Sequence, residues 1–343
     1  MKIESDIKLD FNNVLIRPKR TSLSSRNDVN LERTFVFPNS KQTWTGVPII
    51  SANMDTTGTI GVHKVLSKSK MLTAMNKFYT TDDYENFSKT VLNNDMYMVS
   101  SGISEIDYVN LVKNVEITNC KWICIDIANG YMEKFVNFCK RVRDKFPDKI
   151  IVAGNVATRE MVEELIMRGG VDVVKVGIGP GSACLTRKKT GVGLPQLSAI
   201  IECADAAHGV GGYIIGDGGI TCPGDMAKAF GGGADFVMCG GVFSGHDENP
   251  GELIEKDGEK YKLFYGMSSE LAMKKHYGKM AKYRSSEGRI LKIKYKGKLI
   301  NTVQDYLGGL RSCCTYINAK CIKHMSKCTT FVLVSQQLNT SLV

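Results

Sequence analysis

Short apolar runs recur along the chain at regular spacing, at 47–50, 71–75, 96–100, 122–128, 150–156, 173–178, 213–216 and 236–240. Continuous runs of this length predict strands covered on both faces, as in parallel sheets. Between them the period changes. Residues 132–146 place Phe135, Phe138, Cys139 and Val142 on one helical face, 159–168 behave similarly, and 196–208 begin just after Pro195. Eight strand–helix units joined by right-handed crossovers predict an α/β fold, a closed (βα)8 TIM barrel, with a doubly wound open sheet as the second reading.

Past the eighth run the pattern alters. Residues 261–265 and 290–300 alternate apolar and basic positions, which predicts half-exposed strands, with lysines that discourage edge pairing between chains. Residues 256–300 read as a flap, an excursion from the eighth unit over the barrel mouth. Residues 320–343 read as a helix followed by a poorly ordered or strand-like tail. The expected organisation is one catalytic barrel domain over 1–343, with no regulatory insertion.

A barrel places its chemistry on loops at the C-terminal ends of its strands. The polar residues expected there are Lys77, Asp126, Asn129, Asn155, Cys184 and Asp217. Gly218-Gly219 after the seventh strand and Gly240-Gly241 after the eighth suit a phosphate site, because backbone amides reach phosphate oxygens where no side chain intervenes. Cys184 lies in the glycine-rich segment GPGSACLTRKKTGVG, just beyond an apolar run rather than inside one. Thr186, Arg187, Lys188 and Lys189 follow it, and cationic neighbours favour the nucleophilic thiolate. Cys184 therefore reads as a covalent catalyst, whereas Cys124, Cys203 and Cys239 read as small core hydrophobes. The flap carries a second polar cluster: Ser268, Ser269, Arg284, Ser285, Ser286 and Glu287. Cys321, His324 and Cys328, with Cys313 or Cys314, fit one helix face as well as a zinc site, and no paired knuckle accompanies them.

Composition changes this picture little. Of 343 residues 43% are hydrophobic, ample for a large core, and 45 basic against 35 acidic residues leave a net charge of +10. The lysines are scattered and no aromatic–basic module accompanies them, so small phosphate ligands are expected rather than nucleic acid. Eleven cysteines without a disulfide framework, no signal-peptide pattern and no membrane-length apolar stretch predict a reduced, cytoplasmic protein.

Long segments carry a resemblance: LDFNNVLIRPKR, VPIISANMDT, ICIDIANGY, AGNVATREMVEELI, KVGIGPGSACLTRKKTGVGLPQLSAIIECADAAHG, DGGITCPGDMAKAFGGGADFVM, LFYGMSS, YRSSEG and LGGLRS. Through them the chain resembles the IMP dehydrogenase/GMP reductase superfamily, whose members are (βα)8 barrels. Thr186-Arg187 with the KTGVG run, the uninterrupted barrel and the flap's YRSSEG point to the reductase branch. The resemblance implies that Cys184 attacks C2 of GMP, ammonia leaves, a thioimidate forms, and NADPH delivers hydride to give IMP. Thr186 and Glu287 match the proton relay, and Lys77 matches a lysine near cofactor and substrate.

By the same resemblance Asp217, Gly218, Gly219, Gly240, Gly241, Gly266, Met267, Ser268, Arg284, Ser285, Ser286 and Gly288 match nucleotide-binding positions. Ser25, Arg26, Lys77, Asp126, Ile127, Ala128, Met267, Tyr283, Arg284, Ser312, Cys313, Cys314 and Thr315 match NADPH positions, part of them at a subunit contact, which implies a homotetramer. Gly179, Gly181, Cys184 and Arg187 match a monovalent-cation site suited to potassium. Leu185, Asn76 and Gly216 depart from the family pattern, where threonine, histidine and serine are usual. An NAD-dependent IMP dehydrogenase and a non-catalytic purine-nucleotide sensor are the alternatives.

Overall fold

The computed structural model describes residues 3–89, 93–278 and 285–335. Eight parallel strands form a ring: β1 (Ile49–Ser51), β2 (Leu72–Ala74), β3 (Tyr97–Ser101), β4 (Trp122–Asp126), β5 (Ile150–Val156), β6 (Val173–Val176), β7 (Tyr213–Asp217) and β8 (Phe236–Cys239). Each overlaps one of the predicted runs. The ring closes where β8 pairs with β1, Cys239 opposite Ser51, and this closure rules out the open sheet. Helices follow the strands, and Glu133–Lys145, Arg159–Met167 and Gln196–Gly209 fall where the helical period predicted them.

Strand residues alternate between two cores, as a period of two requires. Ile49, Val99, Ile123, Ile125, Val174 and Val237 belong to the layer shared with the helices. Ile50, Met98, Trp122, Cys124, Val152, Val173, Ile215 and Phe236 fill the barrel itself. Full burial of such side chains stabilises the fold by about 1.5–3 kcal/mol apiece. At the strands' N-terminal ends a hairpin, Arg33–Val36 paired with Thr43–Gly46, closes the barrel with Phe35, Phe37 and Trp44. Phe35 stacks on Phe236 at 4.3 Å, and Trp44 meets Trp122 edge-on. The parity that turns Val173, Cys124 and Ile215 inward also turns Lys175, Asp126 and Asp217 inward, two residues further along. The apolar filling thus ends in an ionic layer at the mouth.

The excursion after β8 is a three-stranded antiparallel sheet, β9 (Ile254–Lys256), β10 (Glu259–Tyr265) and β11 (Ile290–Lys294), with helix Glu270–Tyr277 between its last two strands. The alternation over 290–300 does not make one strand. It ends at Lys294, Gly297 turns the chain at φ +70°, and Leu299 opens helix Leu299–Ile317. Leu299 is fully buried, and its N–H donates to the Glu248 carboxylate at 2.9 Å, so one of the helix's unpaired first-turn amides is satisfied. The C-terminal segment is a 3-10 turn, Ile322–His324, a short helix, Met325–Cys328, and a strand, Phe331–Leu333, paired with Val14–Ile16. The remainder of the expected tail, 336–343, lies outside the described residues.

Candidate active site

Cys184 follows β6 and is half-buried, in a loop that reaches the flap. Cys184 and Gly288 form an isolated antiparallel bridge, the Leu185 N–H donates to the Glu287 carbonyl at 2.6 Å, and the Arg289 N–H donates to the Ala183 carbonyl at 3.0 Å. A side chain at Gly288 would place its Cβ 2.6 Å from the Ser269 amide nitrogen, and one at Gly266 would come 2.8 Å from the Ala183 carbonyl. Three backbones therefore meet here only because both positions are glycine. Their meeting builds a hydrogen-bonded row: the Cys184 thiol donates to Thr186 Oγ1 at 3.2 Å, and the Thr186 hydroxyl donates to Glu287 Oε2 at 2.6 Å. Residues 101 apart in sequence with Thr186, such as Glu287, are thus joined to the thiol by one hydroxyl. The cations after Cys184 do not crowd the thiol. Arg187 turns to Asp10 and to the Ile178 and Leu194 carbonyls, and Lys188 and Lys189 are exposed.

The glycine pairs meet the same loop. Gly218 and Gly219 adopt φ of +91° and +82°, and a Cβ on Gly218 would lie 3.2 Å from the Gly181 nitrogen. One on Gly241 would lie 3.4 Å from Ser182 Oγ. Ser182 and Gly241 share the wall of a cavity of about 510 Å³ with Thr221, Lys296 and Thr302. Lys296, which sequence reasoning left in the basic ribbon, is exposed and donates to the Gly241 and Val242 carbonyls at 3.2 Å each.

Across the mouth lies the ionic layer. Lys175, 1% exposed, pairs with Asp126 and lies 3.4 Å from Asp217 Oδ2. Asn155 donates to the same Oδ2 at 2.9 Å. Burial alone would depress the Lys175 pKa, but the two carboxylates outweigh it and hold it well above the ordinary lysine value. Burial likewise disfavours ionised Asp126, yet Lys175, with Lys77 further away, holds its pKa below the usual carboxylate value. Sequence reasoning found both carboxylates and missed the lysine between them. The signal was the single charged residue inside the run VVKV, on its inward parity.

The other missed group is Asp55, just past β1. Its Oδ2 accepts from the Tyr265 hydroxyl at 2.8 Å, Lys275 Nζ at 2.9 Å and His276 Nε2 at 2.8 Å. Burial opposes the charge on Asp55, and the donors overcome it, leaving the pKa below its ordinary value. His276 stacks flat on Phe78 at 3.5 Å. Lys77 is exposed beside them, with no ion pair among the described residues and the faces of Phe78 and Tyr277 at 5.6 and 5.9 Å. It borders a cavity of about 460 Å³ lined also by Tyr79, Thr80, Asn114 and His276. Asn76, buried, donates to the Gly58 carbonyl at 3.0 Å and accepts the Phe78 N–H at 3.1 Å, so the departure at this position shapes the turn that presents Lys77.

Of the remaining expected cofactor residues, Ser25, Arg26 and Ser312 to Thr315 do not join this mouth. Ser25 caps the turn Arg26–Asp28, which packs on helix Leu299–Ile317. That helix runs back from the mouth, so Ser312 to Thr315 lie roughly 20 Å down its axis from Leu299. Cys314 is fully buried in the core, and the other three are half-buried. Ile127 and Ala128 continue β4 at the mouth, Met267 and Ser268 precede the flap helix, and the Ser286 hydroxyl donates to the Gly288 carbonyl at 3.0 Å. Ser285 is exposed, and Gly240 precedes the turn Gly241–Phe243. Tyr283 and Arg284 lie outside the described residues.

A sequence profile of the IMP dehydrogenase / GMP reductase domain matches residues 8–340. The chain belongs to that family. GMP reductase 1 of Mus musculus is 58% identical over 341 residues, covering 99% of both chains. GMP reductase of Caenorhabditis elegans is 55% identical over 98% of this chain and 95% of its own. GMP reductase of Buchnera aphidicola is 58% identical over 99% of this chain and 98% of its own.

Proposed function

We propose that the protein converts GMP to IMP and ammonia, with NADPH as reductant and Cys184 as nucleophile. The observation that carries this reading is the row Cys184–Thr186–Glu287, held on the family's barrel with full-length similarity to GMP reductases. The row is oriented to move one proton. The thiol proton passes to Thr186 while the Thr186 proton passes to Glu287, leaving a thiolate beside a carboxylic acid. The thiolate sulfur bonds to purine C2. Glu287 returns its proton through Thr186 to the 2-amino group, the C2–N bond breaks, and ammonia departs from a Cys184 thioimidate. When bound, NADPH supplies the hydride for C2. The C–S bond then breaks, IMP is released, and Cys184 is again a thiolate.

The residues of the mouth fit such ligands. Lys77, exposed and without an ion pair among the described residues, borders the 460 Å³ cavity and suits a phosphate-bearing cofactor. The Gly218-Gly219 and Gly240-Gly241 backbones with Lys296 suit the 5′-phosphate of GMP, and Asp217 suits its ribose hydroxyls, which a carboxylate accepts from. Gly266, Met267, Ser268, Ser285, Ser286 and Gly288 line the purine side. Potassium would be held by the carbonyls of Gly179, Gly181 and Cys184, with Arg187. Those of Gly179 and Cys184 accept no hydrogen bond among the described residues, which suits cation ligation. All eleven cysteines are free, in keeping with a reducing, cytoplasmic setting.

The test follows NADPH absorbance with GMP added, beside Cys184→Ala. GMP-dependent oxidation that the variant lacks is expected. Reduction of NAD by the native protein with IMP, and no reaction with GMP, would instead make it a dehydrogenase. Inactivity in both assays with retained GMP binding would leave a nucleotide sensor.

A further inference from the structure

We propose that Lys175 is the positioning residue that aims the Asp217 carboxylate at the ribose hydroxyls of the nucleotide and ties it to Asp126 on the cofactor side. The inference deepens the reading above and rests on it. Lys175 occupies the inward row of β6, one layer above Val173, where barrels of this architecture carry apolar filling. Room for it is made on the neighbouring strand. A Cβ on Gly154 would lie 2.6 Å from Lys175 Cβ, so only glycine on the inward row of β5 lets the lysine stem pass.

The ammonium then meets Asp126 of β4, Asp217 of β7 and, at 3.5 Å, the Asn53 side-chain Oδ1 beyond β1. Four strand ends are thereby joined at one cation. Asp217 is fixed from two further sides. Gln196, fully buried, donates to its backbone carbonyl at 3.1 Å and to that of Val176 at 2.9 Å, and Asn155 donates to its Oδ2. Both side-chain contacts on Asp217 fall on Oδ2. Its Oδ1 has no hydrogen bond among the described residues and is the oxygen available to a ligand hydroxyl. A carboxylate held this way accepts a hydroxyl without first being reoriented, which is the advantage of a preorganised site.

A buried charge left without its partner is costly, so Lys175 also makes two neighbouring carboxylates tolerable in the same mouth. Removal of the cation leaves Asp126 and Asp217 facing each other, free to rotate or to share a proton. A lysine that only stabilised the barrel would affect every nucleotide alike. One that aims Asp217 has a selective signature, because its effect depends on the sugar hydroxyls being present.

The experiment measures binding of GMP, 2′-deoxy-GMP and 3′-deoxy-GMP to the native oligomer by calorimetry, beside Lys175→Met and Lys175→Arg, with thermal unfolding of each. The native protein is expected to bind GMP at least about tenfold more tightly than one of the deoxy forms, the worth of one hydrogen bond to a charged acceptor. Lys175→Met should bring that ratio close to one, and Lys175→Arg should retain most of it. Should Lys175→Met fail to fold, Asp126→Asn/Lys175→Met removes the opposite charges together and is expected to fold with the same loss of discrimination. A Met or double variant that keeps the native ratio would overturn the assignment. So would a native protein that binds GMP and both deoxy forms equally, while its GMP-dependent NADPH oxidation left the reductase reading standing. Failure of the native protein to bind GMP would refute that reading itself.

Discussion

One hydroxyl joins Cys184 to Glu287. Thr186 is placed to accept from the thiol and to donate to Glu287, and neither neighbour alone can carry the proton both ways. Glu287→Gln keeps the size and the acceptor oxygen but cannot take up the proton. It is expected to lower GMP-dependent NADPH oxidation by about 10²- to 10⁴-fold, the usual contribution of a positioned acid–base group. GMP affinity should remain within about threefold, since in the proposed reaction the row serves the leaving amine and not the phosphate or ribose. Steady-state rates with calorimetric affinities check this, and a Gln variant retaining a tenth of native activity would remove Glu287 from the relay. At this scale the sequence was readable where chemistry sits outside a packed run. Cys184 and Thr186 stand out in a glycine-rich loop. Lys175 was concealed because its neighbours Val173, Val174 and Val176 define a strand, and a strand pattern carries no information about which residues face it across a barrel.

The flap is held to the barrel by the Asp55 carboxylate, which gathers Tyr265 from β10 and Lys275 and His276 from helix Glu270–Tyr277. Because the same excursion carries Glu287, the anchoring of this helix bears on the relay. Asp55 has a folded pKa below its ordinary value, so its contribution is present above the ordinary carboxylate pKa and is lost as pH falls through the folded value. The flap should therefore be secure at neutral pH and loosen in acid. Asp55→Asn at neutral pH is expected to imitate the acid state. Trypsin cleavage at Lys274 or Lys275 should quicken by about tenfold or more, while the barrel resists, as expected when a local unit opens below the global unfolding energy. Unchanged cleavage at those lysines would show that Asp55 does not restrain the helix. Elements of this kind mark the limit of what the sequence conveyed. The eight strands were legible because both of their faces are apolar. The hairpin plug and the Asp55 anchor were not, because each exists only through pairing with residues brought from elsewhere, Phe35 with Phe236 and Asp55 with His276. The end of β11 was misjudged because Leu299, which continues the alternation, instead buries as the first residue of a helix.

At the scale of the whole molecule, the residues expected to hold NADPH divide between the two ends of the barrel. Lys77, Asp126, Ile127 and Ala128 stand at the mouth, whereas Ser25 and Arg26 pack with the helix whose far end carries Ser312 to Thr315. A parallel barrel fixes that separation, because each following helix returns toward the N-terminal ends of the strands. One chain would therefore supply only half of the proposed cofactor site, and in the expected homotetramer a neighbour placed head to tail would supply the other half, as a closed ring of four allows. This arrangement predicts complementation. Cys184→Ala and Arg26→Ala should each be strongly impaired as pure oligomers. Co-expressed, they should form mixed oligomers in which some sites combine an intact Cys184 with an intact Arg26 from the neighbour. Random assortment of equal amounts gives such a site with a chance of one half for each subunit, so about a quarter of native activity is expected in a head-to-tail ring. If both halves belonged to one chain, every site would carry a defect, and the mixture would show no more than the average of the two variants. Rates measured on co-purified mixed oligomers, carrying different tags on the two variants, separate these outcomes, and an Arg26→Ala protein with native activity would withdraw that residue from the cofactor site.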